Sequence, residues 1–226
     1  LSGYEPQAIS IQQNIVGKIT EKRTKTKLIN FLTITIKLKI MRFLTLLFIL
    51  FYSLSNAQEK LSEPSKFIER SSYVQINMDE TEKASFKSGL GESVEFYPCQ
   101  IIDLKSANKI NGMQVESRFI IGQQGMSNIS ARETAWIGLE EIADLIVWFG
   151  NYVIPNLNDS AGKKKTVKYI FNCKELMLKF EIVNRTQIFS VIMNNTDYPS
   201  KYFWTESQVD NIPNVVKSLK YLQTKN

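Results

Sequence analysis

The chain contains no histidine in its 226 residues. That absence removes imidazole as a general base, as an activator of serine or cysteine, and as a metal ligand. Ser-His-Asp and Cys-His constellations are excluded with it. Cysteine is almost as scarce, represented by Cys99 and Cys173 alone. Two thiolates cannot complete a four-cysteine zinc site, and residues so far apart cannot form a C-x-x-C redox motif. Long apolar runs are missing too. The longest, Phe43 to Leu54, has about 12 residues, whereas a membrane-spanning helix needs ~20. No dinucleotide fingerprint, P-loop, nucleophile elbow or calcium-loop spacing occurs. An enzyme built from this chain would have to use carboxylates, Lys, Tyr or a Ser-Lys pair. The expectation is therefore a non-enzymatic protein without cofactor or metal.

What the chain does have is an export signature. Arg42 gives a basic start, Phe43 to Leu54 an apolar centre, and Ser55-Asn56-Ala57 a small-residue end. Residues 41–57 are expected to be a signal peptide cleaved after Ala57. No cysteine sits just after the apolar run, so a bacterial lipid anchor has no attachment point. The product is expected in the periplasm or outside the cell, meeting a membrane only during export. Residues 1–40 fit no fold pattern, and are expected to be a non-native upstream extension or a disordered basic arm carrying Lys18, Lys22, Arg23, Lys25 and Lys27. The brevity of the leader and its Ala57-Gln58 junction resemble exported proteins of Bacteroidetes-type bacteria. The resemblance covers the leader only.

Charge divides at the same place. The whole chain carries 28 Lys+Arg and 22 Asp+Glu, for a net charge of +6. Eight of the basic residues and two of the acidic ones lie in residues 1–57, which leaves 20 of each afterwards. An electroneutral body lacks the electrostatic footprint of a nucleic-acid binder, so no nucleic-acid partner is expected. Lys163-Lys164-Lys165 beside Gly162 reads as a solvated loop. In an oxidising compartment Cys99 and Cys173 are a candidate disulfide, whose long closed loop could contribute about 4 kcal/mol. The alternative is two buried free thiols.

Residues 58–92 are polar and predict a flexible lead-in with at most one short element between Phe67 and Met78. Residues 93–226 predict a single α+β domain. Val94 to Cys99 reads as a strand, confined by Pro98 to an edge or bulge. Asn111-Gly112 is the strongest hairpin signal, because a type I′ turn needs positive φ at both central residues. Folding there places Ile110 opposite Met113, Leu104 opposite Phe119 and Ile102 opposite Ile121. Gly122 to Arg132 reads as a loop, and Thr134 to Ile137 as a short strand. Leu139, Ile142, Leu145, Ile146, Phe149 and Val153 follow helical spacing up to Pro155. Glu140, Glu141 and Asp144 fall on that helix's polar side, where a solvated face is the simpler explanation than an acid cluster.

The second half repeats the grammar. Val167 to Cys173, Leu176 to Ile182 and Thr186 to Met193 read as strands, with a turn at Asn184-Arg185. Lys201 to Trp204 is a short aromatic strand, and Thr205 with Gln208 a candidate capping box. The last helix starts near Asp210 or Asn211, since Pro213 is tolerated only in a first turn. Overlaying residues 93–157 on 163–224 predicts two β-β-β-α repeats, forming one antiparallel sheet covered on one face by two helices. Trp148 lies off the main helical stripe and is the candidate exposed contact. The leading functional expectation is a binding or interaction domain for a protein, peptide or envelope ligand. The alternatives are a carboxylate- or Ser/Lys-dependent hydrolase, and a structural or inhibitor-like envelope protein with an apolar patch near Trp148.

Overall fold

Strand alternation dominates the chain and sets where each side chain goes. The computed structural model describes Met41 and residues 61–160 and 165–225. The expected signal peptide at 41–57, the upstream 40 residues and Lys163-Lys164 lie outside the described residues, apart from Met41. Among the described residues from 61 onward the fold is mixed α+β, with antiparallel sheet and three α-helices.

From residue 61 the polar stretch before Ser93 carries one helix and two strands, where at most one short element is expected. Ser62 caps α1 (Glu63–Arg70), with Pro64 in the first turn and Phe67 buried. Two short strands follow, β1 (Val74–Met78) and β2 (Ala84–Lys87), and β2 sends Ala84 and Phe86 into the core. Few apolar residues are needed here, because α1 buries only one side and β1 is almost wholly exposed. Both strands pair, one after the other, along the same edge of β3 (Ser93–Asp103). Pro98 is thus inside an inner strand rather than at an edge. Asp79 N–H donates to the Pro98 carbonyl at 2.9 Å, so the proline nitrogen faces the corner where β1 hands over to β2. No ladder donor is lost against β4.

The Asn111-Gly112 hairpin is not formed. Both residues lie within β4 (Lys109–Gln124), where Asn111 pairs with Gln100 and Gly112 with Cys99. The turn comes earlier, at Leu104 to Ala107. The Asp103 carboxylate accepts Lys105 N–H at 2.9 Å and the Ser106 hydroxyl at 2.7 Å, and Ala107 takes a φ of 57°. Glycine stands at 112 for a different reason. A β-carbon there would sit 2.5 Å from Pro64 Cγ of α1. The expected Gly122 to Arg132 loop is also a strand pair. β4 turns at Gly125, with φ 63°, into β5 (Ser127–Gly138), with a bulge between Ile120 and Gly122. That arm is exposed on both faces along most of its tip, so it needs no alternation to form.

α2 (Leu139–Trp148) continues into a π-turn at Phe149–Val153 and a 3-10 turn at Ile154–Asn156, where Pro155 ends it. The second half follows the alternation closely, as β6 (Thr166–Asn172), β7 (Leu176–Val183), β8 (Thr186–Met193) and β9 (Phe203–Thr205). Asn184 takes the positive φ of 59° in the β7–β8 turn. α3 (Ile212–Thr224) begins one residue before Pro213. The expected capping box is absent. Gln208 instead accepts Lys87 N–H at 2.6 Å, tying the helix approach to β2.

The described residues form two sheets, not one, with orders β1-β3-β4-β5 (β2 also on β3) and β6-β7-β8-β9. Their inner faces share one core with α2 and α3, built on Phe86, Phe96, Phe149, Phe180, Phe189 and Phe203. A smaller cluster of Phe67, Tyr97, Cys99, Ile101 and Trp136 lies on the other face of the first sheet, under α1. Helices therefore cover both faces of that sheet. The repeat overlay fails at its anchor, since Asn184 turns the chain while its counterpart Asn111 is mid-strand. β5 has 12 residues where β9 has three.

Candidate functional site

The end of β1, the corner leading to β2 and the last turn of α3 enclose a cleft of about 510 Å³. Its floor comes from β3 and β4 through Pro98, Cys99, Gln100 and Asn111, and one wall from Tyr221, Leu222 and Lys225. Asn77, Met78, Asp79, Glu80 and Thr81 form the opposite rim. Strand alternation puts Asn77, Gln100 and Asn111 on the same side of the sheet, because Asn77 pairs with Gln100 and Gln100 with Asn111. Asn111 also holds the helix end, donating from Nδ2 to the Lys225 carbonyl at 3.0 Å.

Asp79 is the best-defined group in the cleft. Its carboxylate accepts the Tyr221 hydroxyl, the Thr81 hydroxyl at 2.7 Å and Thr81 N–H at 3.1 Å. These donors, Tyr221 foremost, pull its pKa down to about 2. Asp79 is therefore a fixed anion at neutral pH, suited to accepting hydrogen bonds and unsuited to giving up a proton. Glu80 pairs with Lys83 at 3.0 Å yet stays 64% exposed. The Lys225 ammonium lies 4.9 Å from the centre of the Tyr221 ring.

A second polar cluster occupies the opposite face of the first sheet. The Glu95 carboxylate accepts the Tyr97 hydroxyl, Lys83 Nζ at 3.3 Å and the Ser85 hydroxyl at 3.3 Å. Burial would raise the Glu95 pKa, but hydrogen bonds from Tyr97 and Lys83 outweigh it and hold it low. Tyr97 is pushed up to about 12 by burial and by Glu95. Lys83 is raised, first by its hydrogen bond to Glu80. A serine and a lysine thus converge, yet the lysine is held protonated and the serine donates to a carboxylate. Neither is prepared for nucleophilic chemistry.

The third cluster is buried. Glu175, in the turn between β6 and β7, is 7% exposed and accepts Ser62 N–H at 2.9 Å, the Ser62 hydroxyl, and Trp136 N–H at 2.9 Å. It joins the start of α1 to β5. Beside it, Glu141 accepts Lys174 N–H at 2.8 Å and Glu140 accepts Lys174 Nζ at 2.8 Å. Burial raises the Glu141 pKa, with repulsion from Glu140 adding to it. Burial acts on Glu140 in the same direction, but its bonds to Lys174 and backbone N–H groups hold it low. Of the three acids expected on a solvated face, Glu140 and Asp144 are exposed, and Glu141 is half-buried; Glu140 and Glu141 also act as tethers to Lys174. Among the described residues, no group of three or more acids and cysteines is placed to hold a metal ion.

The other expected site residues are corrected by packing. Cys99 and Cys173 are free thiols, one in each apolar cluster. Cys99 turns toward α1 and Cys173 toward the main core, so the sheet separates them. Burial pushes the Cys99 thiol up to about 12 and raises Cys173 as well. Trp148 is buried at 7% exposure, against Phe149 with ring centres 4.8 Å apart and Phe171 at 5.9 Å. β6 supplies the cover that an isolated helix lacks. Val147, Tyr152, Tyr202 and Trp204 are exposed instead. The cleft itself escaped sequence reading, since its residues come from β1, β3, β4 and α3. Against this fold and this geometry, no protein-family model, no curated protein and no solved structure matches the chain.

Proposed function

We propose that the chain is an exported, non-enzymatic binding domain whose cleft takes a basic segment of a polypeptide ligand. The observation that carries this is Asp79, an anion fixed by Tyr221 and Thr81 at the rim of a cleft floored by the amides of Gln100 and Asn111. Amide side chains match the donors and acceptors of a peptide backbone. Asp79 and Glu80 favour a Lys or Arg side chain, and Pro98 and Leu222 supply apolar contact for its stem. Export rests on the leader at residues 41–57, and an N-terminal sequence starting at Gln58 is its expected signature.

Random short peptides displayed on phage and selected on the immobilised protein test the ligand class. Enrichment of Lys or Arg is expected, with Asp79→Asn weakening the selected peptides about tenfold or more. Selection of acidic peptides, or equal binding by Asp79→Asn, sinks the proposal.

A further inference from the structure

We infer that two copies of this chain associate through β1, pairing it antiparallel with itself about Ile76. Among the described residues only one edge of β1 is used, by β3. The bonds flanking the strand fix which backbone groups face out. Leu104 N–H donates to the Tyr73 carbonyl at 3.0 Å, and Asp79 N–H to the Pro98 carbonyl at 2.9 Å. In an antiparallel ladder hydrogen-bonded and non-hydrogen-bonded pairs alternate. Residues 73, 75, 77 and 79 therefore turn their backbone groups to β3. Val74, Ile76 and Met78 turn theirs away, with no partner among the described residues.

Those three positions are spaced for self-pairing. With Ile76 opposite Ile76 of the second copy, Val74 meets Met78 and Met78 meets Val74. All three are then the hydrogen-bonded pairs, and every outward N–H and C=O on both strands is satisfied in one register. The side chains agree with that register. Val74, Ile76 and Met78 share the face that carries α1, where Ile76 is 41% and Met78 37% exposed. Their rows merge across the junction. On the cleft face Gln75 meets Asn77, amide against amide. β1 reads Val-Gln-Ile-Asn-Met, so no charge, proline or bulge guards the edge and no like charges meet across it. The same pairing puts Gln75 of the second copy beside Asn77 at the rim of the cleft, so each copy would extend the other's site.

Sedimentation equilibrium over a range of concentrations tests this. The native chain is expected to show a reversible monomer–dimer equilibrium. Ile76→Lys and Ile76→Glu place like charges opposite each other and are expected to weaken it about tenfold or more each. Neither touches a β1–β3 hydrogen bond, and unchanged circular dichroism and melting serve as the folding check. An equimolar mixture of the two variants is expected to restore association, because Lys then faces Glu. A native chain that stays monomeric at all concentrations, variants that dimerise undiminished, or a mixture that stays monomeric each overturns the inference. The preference of the cleft for Lys or Arg is read separately, through Asp79, so the two proposals fail distinguishably.

Discussion

Gly112 offers the sharpest test of how the first sheet is built. Its backbone φ is not in the positive region, so alanine is conformationally permitted there. On an unobstructed strand Gly→Ala is expected to stabilise by about 0.5–1 kcal/mol. Here the new β-carbon stands 2.5 Å from Pro64 Cγ, 3.3 Å from Pro64 Cβ and 3.5 Å from the Ile137 carbonyl oxygen. Carbon atoms in contact prefer ~3.5–4.0 Å. The proline ring has no rotamer with which to retreat, so α1 itself must move. That motion strains the packing of Phe67 and the bonds from Ser62 to Glu175. Overpacking of this kind costs about 1–3 kcal/mol. The two accounts thus differ in sign. Urea unfolding followed by tryptophan fluorescence would measure it, with Trp136 in the affected cluster as a local reporter. Gly122→Ala is the control, since nothing lies within 4 Å of its β-carbon and it should not destabilise through a clash. Pro64→Ala and the double variant close a cycle, with an expected coupling of about 1 kcal/mol or more. A Gly112→Ala protein as stable as the native one, or zero coupling to Pro64, would falsify the close approach of α1.

Three further outcomes follow from the polar groups. Glu175→Gln replaces an acceptor with a donor among three donors, so one buried group loses its partner at a cost of about 1–3 kcal/mol in urea unfolding; an unchanged midpoint would contradict the buried network. Tyr221→Phe removes the foremost donor to Asp79, whose pKa should rise from about 2 toward 3.8 in a carboxyl NMR titration. The folded pKa is the depressed one, so the stabilisation from Asp79 is present above about 3.8 and disappears as pH falls through about 2; the variant should lose the share of that acid dependence that Tyr221 supplies, and an unmoved titration refutes the assignment. Cys99 and Cys173 should resist alkylation in the native protein and both react once it unfolds without reductant. The Cys99 contribution runs the other way: it is complete below pH 9 and lost as pH rises toward about 12. A protein whose thiols fail to appear on unfolding would show the chain to be bridged.

Where a side chain's fate depends on its near neighbours in sequence, the residues alone determined the outcome. Val167 to Cys173 and Leu176 to Ile182 alternate because one face of each strand packs on the core, half-buried in β6 and buried in β7. Asn184 tolerates the positive φ its turn requires, Pro155 ends a helix and Pro213 sits near the start of another. Composition alone also excluded every imidazole-based chemistry. The tertiary structure decided whatever depends on what lies opposite. Asn111-Gly112 carries a turn signal, but Pro64 occupies the space above Gly112 and the stronger local device at Asp103 takes the turn. Trp148 is off the helix stripe, yet Phe171 covers it, and the sheet separates two cysteines that spacing alone could have joined. The cleft around Asp79 gathers residues from four elements. Local pattern specifies a residue's own backbone and the face its side chain takes, whereas burial and partnership are properties of two surfaces, and the second surface is written elsewhere in the chain.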